Sequence, residues 1–523
     1  MKKNNNIFNS IISLVISQCI VKAFGLIYKL YLANKEGFGD AGNAIYNSGY
    51  QIYALLLTIS SIGVPNAVAK LIAEKNYKNQ KKETAEILKS ALIIFSIIGI
   101  IGTIILAMTA DFISKKLLNI SEAKYTIIAL SPAIFNVCLI SVYRGYFNGI
   151  NKVNVTAKSQ SIEQILKTVF TIILVEITFI ITSSNTVIMA AIANVATTLA
   201  TFFCFIYLYK KHNLKDVKVK LKKKNIIKIL SISIPISLSS ILASLNRSID
   251  SVTIVRFLKN HVGELEAKLQ YGILSGKIDV LSALPVSFII AIATTIIPKV
   301  SLLNSKKNYK SIEKMAKTYI LFTILLALPF TLFMIVFSDE ILQLLFKSTK
   351  GSILLKISSI TIIFISIEQI VHAFLQGIGK VFIPTIALSV GVIVKIIVNT
   401  KLINLSPYIY YMGGINGACI GTLMCHIIAC CISSYNMKKK LKIKFDFSKY
   451  ILKPMISSCI MGICLYLVYF LLKGIIIENI AIIVASIIAV FMYILSILAL
   501  KILSKEELNL IPIVSNFMNF DKK

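Results

Sequence analysis

The stretch at residues 18–29, Gln-Cys-Ile-Val-Lys-Ala-Phe-Gly-Leu-Ile-Tyr-Lys, lies inside an apolar run from 8 to 32. That run is long enough to cross a hydrocarbon core of about 30 Å. It nevertheless carries Lys22 and Lys29, and a charge at the bilayer centre costs about 2.5–3.5 kcal/mol on insertion scales. At about 100° per residue the two lysines differ by only about 20° in azimuth, so they form one stripe two turns apart, with Gly25 between them. Lys29 is close enough to the end of the run to reach the headgroups, whereas Lys22 is near its middle. A spanning helix that keeps such a stripe faces protein or a water-filled cavity on that side.

The rest of the chain repeats the pattern of long apolar runs. Of 523 residues, 56% are hydrophobic and the mean hydropathy is +0.80. Fourteen spans can be drawn, at 8–32, 44–68, 87–109, 124–146, 156–181, 186–209, 227–254, 272–297, 316–338, 354–376, 382–404, 413–436, 450–472 and 479–502. The gaps are too short for a soluble domain. The expected fold class is therefore an all-α polytopic membrane protein. The N-terminal Met-Lys-Lys-Asn-Asn-Asn and the run after it read as a retained first helix, because no small-residue cleavage site closes the run.

The charge pattern orients the spans. The formal charge is +33, from 56 Lys and Arg against 23 Asp and Glu. In a soluble protein this would point to nucleic acid; here the cations crowd into alternate short loops, among them 70–82, 210–224, 299–317 and 438–453. That asymmetry marks cytoplasmic loops against anionic headgroups and places both termini in the cytoplasm. The nine cysteines fall within spans without metal spacing, and they read as free, buried thiols.

An internal repeat is also legible. Lys75-Asn-Tyr-Lys78 recurs at 307–310, an offset of 232. Gly149-Ile-Asn-Lys-Val153 is echoed by Gly377-Ile-Gly-Lys-Val381, an offset of 228 that also carries Lys167 onto Lys395. Both offsets equal six spans, and six is even, so the halves are parallel repeats. The expected architecture is an N-lobe at 1–209, a basic cytoplasmic linker at 210–226, a C-lobe at 227–436, and two extra helices with a tail at 437–523. Transporters of this kind hold substrate between the lobes near the midplane.

Other intramembrane charges join the first stripe. In the seventh span Arg247 and Asp250 lie about one turn apart, either as an ion pair that neutralises itself or with Arg247 offered to an anion. Lys277 lies in the outer third of the eighth span, before an expected helix break at Ala283-Leu-Pro285. Glu163 and Lys167 have the spacing of a helical ion pair. Glu368 and Glu176 are candidates for binding a coupling H⁺ or Na⁺; His426 reads as a packed helix residue. Lys22, Lys29, Arg247 and Lys277 together would make a basic cavity. A basic cavity implies an anionic substrate, with phosphate as the expected group.

The run Asn43-Ala-Ile-Tyr-Asn-Ser-Gly-Tyr-Gln-Ile-Tyr-Ala-Leu-Leu-Leu-Thr-Ile-Ser-Ser-Ile-Gly-Val-Pro65 and the string Tyr143-Arg-Gly-Tyr-Phe-Asn-Gly149 followed by Ser161-Ile-Glu-Gln164 resemble the stage V sporulation protein B family. So do Tyr271-Gly-Ile-Leu-Ser-Gly276, Leu284-Pro285 and Ile297-Pro298. That family belongs to the multidrug/oligosaccharidyl-lipid/polysaccharide exporter superfamily and is similar to the lipid II flippases. The resemblance implies a two-lobed, fourteen-helix flippase that moves undecaprenyl-diphosphate-linked sugars by alternating access, for cell-wall or spore-cortex synthesis. It implies substrate contacts at Lys22 and Lys29; from the charge pattern, Arg144, Arg247, Asp250 and Lys277 are further candidates. No enzymatic step, cofactor or metal is expected, and coupling to an H⁺ or Na⁺ gradient or to the membrane potential is. The expected partners are the lipid-linked oligosaccharide, membrane lipids and cell-wall synthesis proteins. The rival readings are a drug/cation antiporter of the same superfamily, which would need a dominant buried carboxylate, and a membrane glycosyltransferase or polymerase, which would need catalytic carboxylates on larger loops. A scaffold for wall assembly is a third.

Overall fold

A computed structural model of the chain describes residues 17, 20–61, 63–77, 80–212, 223–405, 412–443, 445–475 and 477–504. Residues 20–34 form α1. There follow α2 (Gly39–Ser61), α3 (Gly63–Tyr77), α4 (Lys81–Phe112), α5 (Ala123–Gly149), α6 (Val153–Thr182), α7 (Thr186–Lys211), α8 (Lys223–Val262), α9 (Glu264–Ile273) and α10 (Asp279–Ser305). The chain continues through α11 (Tyr309–Val336), α12 (Ser338–Phe346), α13 (Ser352–Gly377), α14 (Phe382–Leu402), α15 (Ile415–Leu441), α16 (Lys453–Leu472) and α17 (Glu478–Ala499). Among the described residues, twelve helical segments are long and apolar enough to cross a membrane. They coincide with twelve of the fourteen expected spans. Of the other two, the first includes residues outside those described, and the seventh lies within α8.

The described residues fall into two compact units, Met1–Val280 with Lys395–Ala418, and Leu281–Val394 with Cys419–Lys523. These follow packing, whereas the divisions at 209 and 436 follow the repeat, and the two kinds of boundary differ. In the first unit, α5 is sheathed by α2, α3, α4 and α7, and most of its residues are buried. Small residues allow that approach, as expected where helices meet without a hydrophobic driving force. A Cβ on Gly145 would come within 2.8 Å of the Pro65 carbonyl, and one on Gly49 within 2.1 Å of Thr126 Oγ1. In the second unit α11 packs on α13 and α16. Tyr493 of α17 donates to the Leu325 carbonyl at 2.8 Å, and Phe337 meets Tyr469 edge-on at 5.0 Å. The two extra helices are thus part of this unit's core.

The structure also settles the register of the repeat. Gly149 presses on Ile72 and the Ala69 carbonyl, and Gly377 on Val300 and the Ile297 carbonyl; 377 − 149, 300 − 72 and 297 − 69 are all 228. Thr103 donates to Ser131 O and Thr331 to Ser359 O, again 228 apart. Left-handed residues recur at Asn119 and Lys347, and at Asn151 and Gly379. The Lys75–Lys78 match at an offset of 232 is therefore not part of the repeat. Its first copy lies at the end of α3 and its second at the start of α11, while the 228 offset pairs the N-caps Gln80 and Asn308.

The expected break at Pro285 does not occur. The helix runs through it, as membrane helices can where neighbouring groups satisfy the freed backbone. A π-type turn lies earlier, at Leu274–Ile278.

Candidate functional site

α1 is fastened along α6. Ser17 donates to the Ala157 carbonyl at 2.6 Å, Ser161 to Ser17 at 3.0 Å, and Thr168 to the Phe24 carbonyl at 3.0 Å. Tyr31 donates to Glu176 at 2.7 Å. Residues 17, 24, 28 and 31 thus share one side of α1, and at about 100° per residue the Lys22–Lys29 stripe is turned roughly 140° away from it. Lys22 is exposed and Lys29 half-buried. A Cβ on Gly25 would meet Gln164 of α6 at an ordinary 3.7 Å.

Behind α1, Lys167 is buried, with its Nζ 4.2 Å from the Tyr50 ring centre and 5.0 Å from that of Tyr28. These aromatic faces hold the cation in place of a carboxylate. The expected Glu163–Lys167 pair is not formed, because Glu163 is taken by Arg144 at 2.7 Å. Arg144 also donates to Ser159 at 3.0 Å and to the Cys204 sulfur at 3.7 Å. It is thus held by groups on α6 and α7.

Asp250 has a partner that its spacing did not suggest. Lys395 of α14, fully buried, lies 2.6 Å from Asp250 and 2.6 Å from the Asn246 carbonyl. Asn399 bridges Asp250 at 3.0 Å and Thr253 at 3.1 Å. The Arg247 side chain lies outside the described residues. Lys277, only 3% exposed, sits 2.8 Å from Asp40 at the start of α2. Its π-type turn follows Gly272, whose Cβ would collide with the Asp40 carbonyl at 1.9 Å. Glu176 is half-exposed and pairs with Lys35 at 2.5 Å. Glu368 is fully buried, 2.7 Å from His426 and 3.7 Å from His372.

Of the candidate site residues singled out in the sequence, five are thus joined to partners within the protein: Arg144, Asp250, Lys277, Glu176 and Glu368. Lys22 and Lys29 share an accessible face. Lys395 and Asn399 were missed as partners of Asp250; the signal available was the repeat, which already matched Lys395 with Lys167. At the same offset Lys22 corresponds to Asp250 (250 − 22 = 228). In the second half the buried lysine therefore meets an acid, while in the first the same place holds a second lysine. Among the described residues no group of three His, Cys, Asp or Glu side chains could hold a metal ion.

Comparison with known proteins agrees with this architecture. The family model described as polysaccharide biosynthesis protein matches residues 7–304, and the MatE model matches 272–400. Stage V sporulation protein B of Bacillus subtilis (strain 168) is 23% identical over 520 residues, covering 97% of each chain. Lipid II flippase MurJ of the same organism is 24% identical over 489 residues, covering 88% of each. Among solved structures, a lipid II flippase MurJ in an inward closed conformation superposes with a TM-score of 0.73 at 17% identity, over 93% of this chain and 98% of that one. An inward-facing multidrug resistance MATE family transporter gives 0.68 at 16% identity, over 83% and 98%.

Proposed function

We propose, from a chain that belongs to the polysaccharide biosynthesis protein family and has the fold of the multidrug/oligosaccharidyl-lipid/polysaccharide superfamily, that its cargo is a polyprenyl-diphosphate-linked saccharide. The protein acts as a flippase by alternating access in the cell membrane, with both termini cytoplasmic. Its substrate is lipid II or a related peptidoglycan precursor, in line with the name of one Bacillus relative, lipid II flippase MurJ.

The observation that carries this reading is the Lys22–Lys29 stripe. The stripe is exposed at Lys22, and by helical spacing it lies roughly 140° from the side of α1 that carries the hydrogen bonds to α6. Two ammonium groups two turns apart suit a diphosphate, which offers several oxygens to separate point charges. Alternate basic loops support the orientation.

The test is translocation of a fluorescent undecaprenyl-diphosphate saccharide in liposomes holding the purified protein. Lys22→Ala with Lys29→Ala is expected to lower the rate at least about tenfold, the loss of roughly 1.4 kcal/mol or more of phosphate contact, with unchanged reconstitution. Wild-type rates in the double variant would overturn the assignment.

A further inference from the structure

The second unit contains a buried acid–base cluster that the anionic-substrate reading does not use. Glu368 of α13 is 0% exposed. Its Oε2 is 2.7 Å from His426 Nδ1 on α15, and its Oε1 accepts no hydrogen bond. The His372 Nδ1, one turn along α13, lies 3.7 Å from that Oε1, and the His372 Nε2 is 2.9 Å from the Ser433 hydroxyl. Both imidazoles are buried. On α15, Cys430 lies 3.8 Å from Ser434. α11 contributes Glu313 and Lys317, paired at 2.7 Å, and Tyr319, whose ring packs on Phe374. Its Lys310 and Lys314 are exposed.

We propose that Glu368, His372 and His426 form a proton-binding site in the second unit, holding one proton exchangeable with the medium. With the carboxylate ionised and both imidazoles neutral the cluster bears one negative charge, and a charge in a dry interior is stable only when paired or neutralised. One proton taken from solvent neutralises it, whether it sits on an imidazole or on the carboxyl oxygen. The described partners of Glu368 are the ring nitrogens of His426 and His372. A sodium ion is a hard cation that seeks several oxygens, whereas a proton needs one donor–acceptor line, and the 2.7 Å contact supplies it.

The repeat supports a specific role for this place. His372 corresponds to Arg144 at the 228 offset. Arg144 reaches Cys204 of α7, and His372 reaches Ser433 of α15, 229 residues further on. The first half fills the position with a permanent cation paired to Glu163. The second fills it with the one side chain whose ordinary titration falls between about pH 5 and 8.

The test uses full-length protein in lipid bilayers, labelled with ¹⁵N only at histidine; the chain has four histidines. Nitrogen spectra report imidazolium, and infrared spectra report a protonated carboxyl. One of these two signals is expected in the wild type within about pH 5 to 8. It should be lost in Glu368→Gln and in His426→Gln, while the His212 and His261 resonances stay in place as the folding control. Replacing sodium by choline should change neither signal. If wild type and Glu368→Gln give the same spectra across that range, the contact is a fixed hydrogen bond and the proposal fails. A signal that appears or vanishes with sodium overturns the choice of ion. The measurement needs no substrate, so its outcome is independent of the flippase assignment.

Discussion

Lys22 and Lys395 show how a single position decides between packing and exposure. Both are lysines within apolar helices, yet one is exposed while the other is sealed against Asp250 and the Asn246 carbonyl. Breaking a buried ion pair by removing one partner costs about 3–5 kcal/mol, because the remaining charge is stranded. Lys395→Met is therefore expected to destabilise the protein by about 3 kcal/mol, read as a lower unfolding midpoint in detergent. Adding Asp250→Asn should recover part of that loss, since the stranded carboxylate is gone. Lys22→Met, at an exposed position, should reduce translocation.

Helix contacts depend on small residues at fixed places. A Cβ on Gly149 or Gly377 would lie 2.7–2.9 Å from its neighbour's Cβ or from backbone, closer than real Cβ atoms approach. Overpacking of this kind costs about 1–3 kcal/mol. Gly149→Ala and Gly377→Ala are expected to lower the unfolding midpoint to a similar degree, because the two contacts are equivalent across the repeat. Gly474→Ala, with nothing within 4 Å of the added carbon, serves as the neutral comparison. At Gly272 the collision is with the Asp40 carbonyl at 1.9 Å, so Gly272→Ala should push α9 off α2 and weaken the Lys277–Asp40 pair. A crosslink between cysteines at 40 and 277 in a background lacking the native thiols would report that displacement as a loss of yield.

For the whole chain, the alternation of basic loops makes a topological prediction. A cysteine placed at Lys306, an exposed position between α10 and α11, should react with a membrane-impermeant maleimide only after cells are opened. One at Ser183, exposed between α6 and α7, should react in intact cells. The reverse pattern would invert the orientation and with it the direction of transport. Hydropathy made the spans legible because a lipid-facing helix must be apolar over about 20 residues, and twelve of the expected fourteen coincide with described helices long and apolar enough to cross a membrane. The repeat was legible through Gly149 and Gly377 because only glycine permits their close contacts. The Lys75–Lys78 match misled because a short polar string at a helix end carries no packing constraint. Of the candidate site, the α1 stripe was legible because azimuth follows from spacing alone.

The sequence by itself determined the spanning helices, their parallel two-fold repeat and the shared face of Lys22 and Lys29, all consequences of local periodicity and transfer free energy. Only the tertiary structure decided which charges are bound internally. Arg144 pairs with Glu163, Asp250 with Lys395 and Lys277 with Asp40 across separations of 19 to 237 residues. Helical spacing suggested the nearer partner Lys167 for Glu163 and gave no sign of Lys395 for Asp250. In a medium of low dielectric a buried charge goes to the partner that packing brings within hydrogen-bond distance, and one turn of helix is no advantage when a neighbouring helix supplies better geometry.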